Sequence, residues 1–427
     1  MKEPSSQLVE IAKPVYGGGF LSHIEGKAVF VPLTLPGEQA RIRIVESKRG
    51  YATAEAEEIV VVSAKRVQPV CPHFGTCGGC NYQHTTYENQ LELKQAILRE
   101  TLARGGVEVA EEIAVLAGEP WGYRNRIRVA FDGAGNPGYR GRRSHQVAPI
   151  SECPIAAPVL VEAAKAVAEI ARQFTPALRP TELALFCDAA ESSLLATVST
   201  ASAREIRFDE FAQVLRQRIP ALHGLELNID GHGKQPPRTV ARWGATSLIY
   251  RAAGFDYRVD HGAFFQVNRW LVDGLVELVA AEHKGALAWD LFAGVGLFAR
   301  RLTAGFDRVV AVESAPAATQ ALAANLKGTH GVPVRASTLD FLCRDHGGQG
   351  PELIVVDPPR TGLGAETTAL LVEIAAPSLG YVSCDPATLA RDLRVLIGSG
   401  YQVQSITLAD LFPQTFHIET VVQLRRS

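Results

Sequence analysis

From Ala286 onward the chain alternates short apolar runs with helix-length segments, and this rhythm restricts the fold more than any other feature. The runs 286–291, 308–313, 334–337, 353–356 and 380–383 are followed by a closing pair near 402–408 and 419–424. Strands joined through helices lie parallel, so the pattern predicts a doubly wound α/β sheet. Ligands of such sheets gather beyond the carboxyl ends of the strands, and the chemistry is expected at that edge.

The strand-end motifs carry that chemistry. Trp289-Asp-Leu-Phe-Ala-Gly-Val-Gly296 reads as a strand running into a glycine turn, with too few glycines for a dinucleotide fingerprint. A turn that hugs a ligand without a pyrophosphate, around Gly294 and Gly296, suits S-adenosylmethionine. Glu313 ends the next strand, where a carboxylate accepts from both ribose hydroxyls, and Asp340 follows the third, placed for the adenine amino group. Asp357, in Asp357-Pro-Pro-Arg360, and Cys384, in Gly380-Tyr-Val-Ser-Cys-Asp-Pro386, end the next two strands. A free cysteine taken alone reads as a small core residue. At this edge it reads as a nucleophile: a thiolate added to the electron-poor C6 of uracil makes C5 able to attack a methyl sulfonium. The C5 proton must then leave before the thiol can, and Glu419 is the expected base. Asp357 is placed to accept the uracil N3–H, and the target base must be unpaired or flipped.

The rest of the chain reads as machinery for holding RNA. At 427 residues it is expected to fold as three units, 1–63, 64–258 and 259–427. Short strands and glycine turns in the first suggest a small barrel. In the second, Cys71, Cys77 and Cys80, with Cys153 as the fourth thiol, form a metal-site signal open to zinc or an iron–sulfur cluster. A helix is expected over 87–104, then a basic stretch with Arg124, Arg126, Arg128, Arg140, Arg142 and Arg143 interleaved with aromatics, the mixture used by readers of single-stranded RNA. Net charge is only -2, so RNA binding must come from such local patches. Neither a signal peptide nor a membrane-length apolar run is present, and a cytoplasmic monomer is expected. Residues 155–245 offer strands and helices without evident chemistry, and 231–237 reads as a loop.

With these motifs the chain resembles the RNA uracil-5 methyltransferases nearly end to end. The likeness rests on Leu35-Pro-Gly-Glu38, the four cysteines, Phe265-Gln-Val-Asn268, Asp357-Pro-Pro-Arg360, Ser383-Cys-Asp385 and His417-Ile-Glu-Thr420. It implies a C-terminal class I (Rossmann-like) methyltransferase domain, a central α/β domain carrying a metal cluster, and an N-terminal TRAM, OB-like barrel. It further implies that the four cysteines hold a [4Fe-4S] cluster, and that Gln266, Phe292, Glu313, Asp340 and Asp357 line the cofactor or base site. Cys384 is then the nucleophile and Glu419 the base. The expected substrate is 23S ribosomal RNA, with the T-loop of transfer RNA as runner-up. Amino-group methylation also uses Asp-Pro-Pro but needs no cysteine. A non-catalytic, redox-sensing RNA-binding protein would need no S-adenosylmethionine.

Overall fold

The alternation after Ala286 folds as an eight-stranded sheet in a computed structural model that describes residues 6–109, 112–174, 178–202, 206–231, 235–344, 348 and 350–426. In spatial order its strands are Gly331–Arg335, Phe306–Glu313, Gly285–Leu291, Leu353–Val356, Ser378–Ser383, Glu419–Arg426, Tyr401–Ala409 and Ala114–Leu116. The first five pair in parallel, and Glu419–Arg426 is antiparallel to both neighbours. Strand order reverses beside Gly285–Leu291, which makes its carboxyl end the switch point where such sheets open a crevice. All four residues of Leu353–Val356 are buried, as a central parallel strand requires.

The third strand differs from expectation. It runs Gly331–Arg335 and not 334–337, because Ser337 leaves the sheet to cap helix Thr338–Leu342, its side chain accepting from Asp340 N at 3.0 Å.

Helix Tyr87–Arg104 carries Ile97, Leu98 and Leu102 on one stripe and packs them beside Leu389, Ala390 and Leu393 of helix Pro386–Gly398. A Cβ on Gly105 would lie 2.6 Å from Ala390 Cβ, so the two segments meet at glycine distance. Lys94 of the first helix is fully buried, with Nζ 2.5 Å from Asp410 Oδ1 and 2.9 Å from the Phe412 carbonyl. Removing one member of a buried pair leaves the other charge uncompensated. Lys94→Met is therefore expected to cost ~3–5 kcal/mol, read as a lower denaturant midpoint at unchanged m. Adding Asp410→Leu should restore most of the loss. An unshifted midpoint in Lys94→Met would contradict this.

The central unit is a seven-stranded sheet whose middle strands are Arg126–Phe131, Pro180–Cys187, Leu194–Thr200 and Leu222–Ile229. Alternation sends Ile127, Leu185, Val198 and Leu227 into one core with helices Pro158–Ala171 and Phe208–Arg218. The following hairpin, Ser247–Ala252 with Phe255–Asp260, packs Leu248, Tyr250, Tyr257 and Val259 into the core of the C-terminal sheet. The units thus divide more cleanly in sequence than in space. Part of the expected loop at 231–237 lies outside the described residues.

The N-terminal unit is a six-stranded sheet wrapped around Phe20, Val29, Val31, Ile42 and Ala54. Its Leu35-Pro-Gly-Glu38 turn is pinned by Glu38, whose carboxylate accepts from Leu35 N at 2.8 Å and Arg66 Nε at 2.6 Å. Among the described residues no helix is long and apolar enough to cross a membrane.

Candidate active site

Strand register brings the two proposed reacting side chains together. Ser383 pairs with Thr420 in antiparallel register, so the next step along both strands sets Cys384 against Glu419. On the other side Val356 pairs with Tyr381, which delivers Asp357 to the same end. Beyond Cys384, Asp385 accepts from Ala387 N and Thr388 N, both at 3.0 Å, and Pro386 occupies the first turn of helix Pro386–Gly398. The Cys-Asp-Pro order is thereby accounted for: strand end, helix cap, helix start.

The site is crowded with acids and holds a cation. Burial, then the charges of Glu419 and Asp357, push the half-buried Cys384 thiol up to about 11, while Arg360 opposes them. Burial pushes Asp357 up to about 7. Glu419 is raised well above the carboxylate range by burial and then by Asp357. Perturbed groups of this kind cluster where proton transfer is done. Arg360 Nη2 lies 3.0 Å from His417 Nδ1. Burial, reinforced by Arg360, brings His417 down to about 4, so at neutral pH the imidazole accepts that bond.

A residue that sequence reasoning missed reaches this loop from the N-terminal barrel. The Tyr16 hydroxyl donates to the Cys384 carbonyl at 3.2 Å, and its ring meets Phe416 edge-on at 5.8 Å. With one hydrogen bond contributing about 0.5–1.5 kcal/mol, Tyr16→Phe is expected to lower kcat about 2- to 10-fold with KM and thermal stability little changed. A kcat equal to the parent's would show that this bond does not position the loop.

At the switch point Gln266, Phe292, Gly294 and Asp357 line one small cavity with Phe264 and Leu297. Phe292 holds φ +65°, a conformation non-glycine residues rarely adopt. Gly294 has φ +56°, and a Cβ there would meet nothing within 4 Å. Gly296 does not line the cavity; it holds φ +89°, and a Cβ on it would come 2.7 Å from Leu322, so conformation and packing both require glycine there. Asp290 is fully buried and accepts from Ala299 N at 2.7 Å. Burial, above all, pushes its carboxyl up to about 8, which makes it a neutral tie for the loop at neutral pH.

Glu313 accepts from Gly294 N at 2.9 Å, Ser314 N at 2.7 Å and Ala315 N at 2.6 Å, and so anchors the cavity's glycine loop. Asp340 is exposed in the first turn of Thr338–Leu342, accepts from Ser337 Oγ at 2.7 Å, and does not line the cavity. Phe264, 59% exposed, was missed in sequence; the paired aromatics before Gln266 were its available signal.

Cys71, Cys77, Cys80 and Cys153 line a separate cavity with Phe74, Arg124 and Tyr139. Burial raises these thiols, Cys80 to about 12, and Cys71, Cys77 and Cys80 each feel Cys153. Only a bound cationic centre would hold them together as thiolates. A Cβ on Gly78 would lie 2.9 Å from the Arg140 carbonyl, so glycine lets the cysteine loop close on the basic hairpin. Among the described residues no group of three or more His, Cys, Asp or Glu is arranged to hold a metal ion. Four thiols around one cavity, with a guanidinium beside them to offset negative charge, are the donor set that zinc or an iron–sulfur cluster takes.

The arginine stretch separates into three environments. Arg124 borders the thiol cavity, and its Nε donates to the Tyr123 hydroxyl at 3.3 Å. Arg126 lies over the Phe186 ring at 4.5 Å, and the exposed Arg128 pairs with Glu182 at 3.3 Å. Arg140, Arg142 and Arg143 line a cavity of about 720 Å3 against Tyr16 and Phe30 of the N-terminal barrel.

A parallel sheet with a glycine loop at its switch point and a strand-end cysteine beside it defines an S-adenosylmethionine-dependent methyltransferase. Residues 350–427 match the family model described as tRNA (Uracil-5-)-methyltransferase, and residues 5–56 match the TRAM domain. The chain is 32% identical over 424 residues to the 23S rRNA (uracil(1939)-C(5))-methyltransferase RlmD of Halomonas elongata, covering 96% of this chain and 87% of that one. It is 33% identical over 446 residues to an uncharacterized RNA methyltransferase of Streptomyces avermitilis, covering 97% of both. The solved structure of Pyrococcus abyssi tRNA (uracil-54, C5)-methyltransferase with S-adenosyl-L-homocysteine shares the fold, with TM-score 0.79 and 23% identity over 97% of this chain and 100% of that one. This chain belongs to the RNA uracil-5 methyltransferase family.

Proposed function

We propose that the protein methylates C5 of a uridine in 23S ribosomal RNA, with Cys384 as nucleophile and Glu419 as base. The observation that carries the mechanism is the strand register that sets Cys384 against Glu419, with Asp357 and Arg360 acting on both electrostatically. Cys384 Sγ adds to C6, and Arg360 lies within reach of the charge that develops. The C5 carbon then takes the methyl group from the sulfonium. Glu419 removes the C5 proton, and the C6–S bond breaks to restore the ring and free the thiol. Asp357 holds the uracil N3–H, and Gln266, Phe292 and Gly294 hold the donor, with Glu313 and Asp340 at the outer strand ends for ribose and adenine. The ribosomal preference rests on the likeness to the Halomonas elongata enzyme.

The four cysteines would hold a [4Fe-4S] cluster, which supplies shape and charge to the RNA-holding surface, since methyl transfer from a sulfonium moves no net electrons. Arg140, Arg142 and Arg143 would meet phosphates along the cavity beside the barrel. The working form is a cytoplasmic monomer of three units, 1–63, 64–258 and 259–427.

Two experiments test this reading. Tritiated donor with separate ribosomal and transfer RNA transcripts should label 23S RNA at 5-methyluridine, and label confined to transfer RNA would overturn the substrate. The rate should also rise with pH. A thiol raised to about 11 is mostly protonated at pH 7, and below that value each unit by which pH rises gives about tenfold more thiolate. Base ionisation acts in the same direction. Initial rates from pH 6.5 to 9 that fall as pH rises would contradict the assignment.

A further inference from the structure

One face of the central sheet carries a polar hollow that methyl transfer leaves unused. Helices Pro158–Ala171 and Phe208–Arg218 pack on the face bearing Ile127, Leu185 and Leu227. On the opposite face, cross-strand register aligns Arg128, Ala184, Thr197 and Glu226 in one row. The flanking rows carry Arg126 with Phe186 on one side, and Glu182, Ser199 and Asn228 on the other. Ala184, small among long neighbours, leaves a cavity of about 310 Å3, also lined by Asp260 and His261.

Three lining residues contribute buried polar atoms with no hydrogen-bond partner: Arg126 Nε, Asn228 Oδ1 and His261 Nε2. Unpaired buried polar atoms are few in native proteins, and Arg126 Nε and Asn228 Oδ1 around one cavity call for a ligand that pairs with both. The groups are held in place. The Arg126 guanidinium lies 4.5 Å over Phe186, and His261 Nδ1 is 3.0 Å from Thr197 Oγ1. Glu226, 8% exposed, takes Arg242 Nε on Oε1 at 2.8 Å and adds an acceptor to the wall opposite Arg126.

We propose that this hollow binds a guanine base of the substrate, close in the strand to the target uridine, an inference that rests on RNA being the substrate. Arginine donates to guanine O6 and N7. Its N1–H and N2–H groups donate to Glu226 and Asn228 on the far wall. Adenine reverses this edge, with an acceptor at N1 and a donor at N6, and leaves the same protein atoms unpaired. Pyrimidines lack N7 and do not span the hollow. The backbones bearing Arg126 and Asn228 stand three inter-strand steps apart across the sheet, ~14 Å, and four residues apart along it, ~13 Å, so about 20 Å on the diagonal, a span that an extended arginine, a purine and an asparagine bridge together. His261 is three residues before Phe264, which lines the donor cavity, so the two sites are at most ~11 Å apart along the chain and serve one RNA strand.

The test is selection by binding from an RNA pool randomised around a fixed uridine, using the whole protein. Retention requires no methyl transfer, so its outcome is separate from that of the catalytic assay. The wild type should enrich guanine at one fixed position. Arg126→Met and Asn228→Ala should each reduce the guanine-over-adenine preference there by about 10-fold, with S-adenosylmethionine affinity and thermal stability retained. Asn228→Asp keeps the acceptor and should keep the preference. Absence of guanine enrichment in the wild type, or enrichment unchanged in both disabling variants, would overturn the proposal.

Discussion

Replacing Cys384 with alanine is expected to abolish RNA methylation, lowering kcat by at least about 10⁴-fold, while S-adenosylmethionine binding and thermal stability stay at wild-type levels. The loop that carries the thiol is held by backbone and neighbours, not by the sulfur: Asp385 caps the following helix, and Tyr16 binds the residue's carbonyl. The side chain is half-buried, so its loss opens no large void. What disappears is the sulfur proposed to add to C6. Cys384→Ser should be nearly as inactive, because a hydroxyl beside Glu419 and Asp357 has still less tendency to ionise than the thiol. Methylation intact in either variant would point to direct amino-group transfer, for which Asp357-Pro-Pro-Arg360 suffices without a nucleophile.

Glu419→Gln should separate the two halves of the reaction. Addition and methyl transfer need Cys384, but release of product needs the C5 proton removed. The variant is expected to accumulate RNA joined to the protein through a methylated ring, with turnover reduced about 10²- to 10⁴-fold. Glutamine preserves shape, and the fold should not suffer. A carboxyl whose folded value is raised stabilises the fold below its unfolded value and loses that contribution as pH rises through the folded one. Removing the charge at pH 8 therefore leaves stability equal or higher. Gel-shifted RNA that resists denaturation would report the trapped species. Fast turnover with no such species would assign the base elsewhere.

The sheet was legible because its central strands are continuous apolar runs: Leu353–Val356 has the expected bounds, and Asp357 and Cys384 follow from the rule that parallel strands end at one edge, whereas Glu419 begins an antiparallel strand and was reached from the need for a base. Where local chemistry competed, reading by pattern failed. Ser337 caps a helix in place of extending a strand. Contacts set by tertiary packing left no local trace at all. Nothing near Tyr16 announces that it reaches Cys384, and nothing in Ala114–Leu116 signals that it will pair with Thr407–Ala409 at the sheet's edge. The hollow beside Arg126 was likewise hidden. Its residues lie on four strands, and only cross-strand register brings them into one wall.

The most direct measurement is denaturing mass spectrometry of the protein incubated with S-adenosylmethionine and an RNA substrate carrying 5-fluorouridine at the target. Fluorine cannot leave C5 as a proton does, so elimination stops after methyl transfer. A covalent protein–RNA species bearing one added methyl group, mapped to the peptide containing Cys384, is the expected result. RNA methylated without any covalent species, or a species mapped to another residue, would contradict the account.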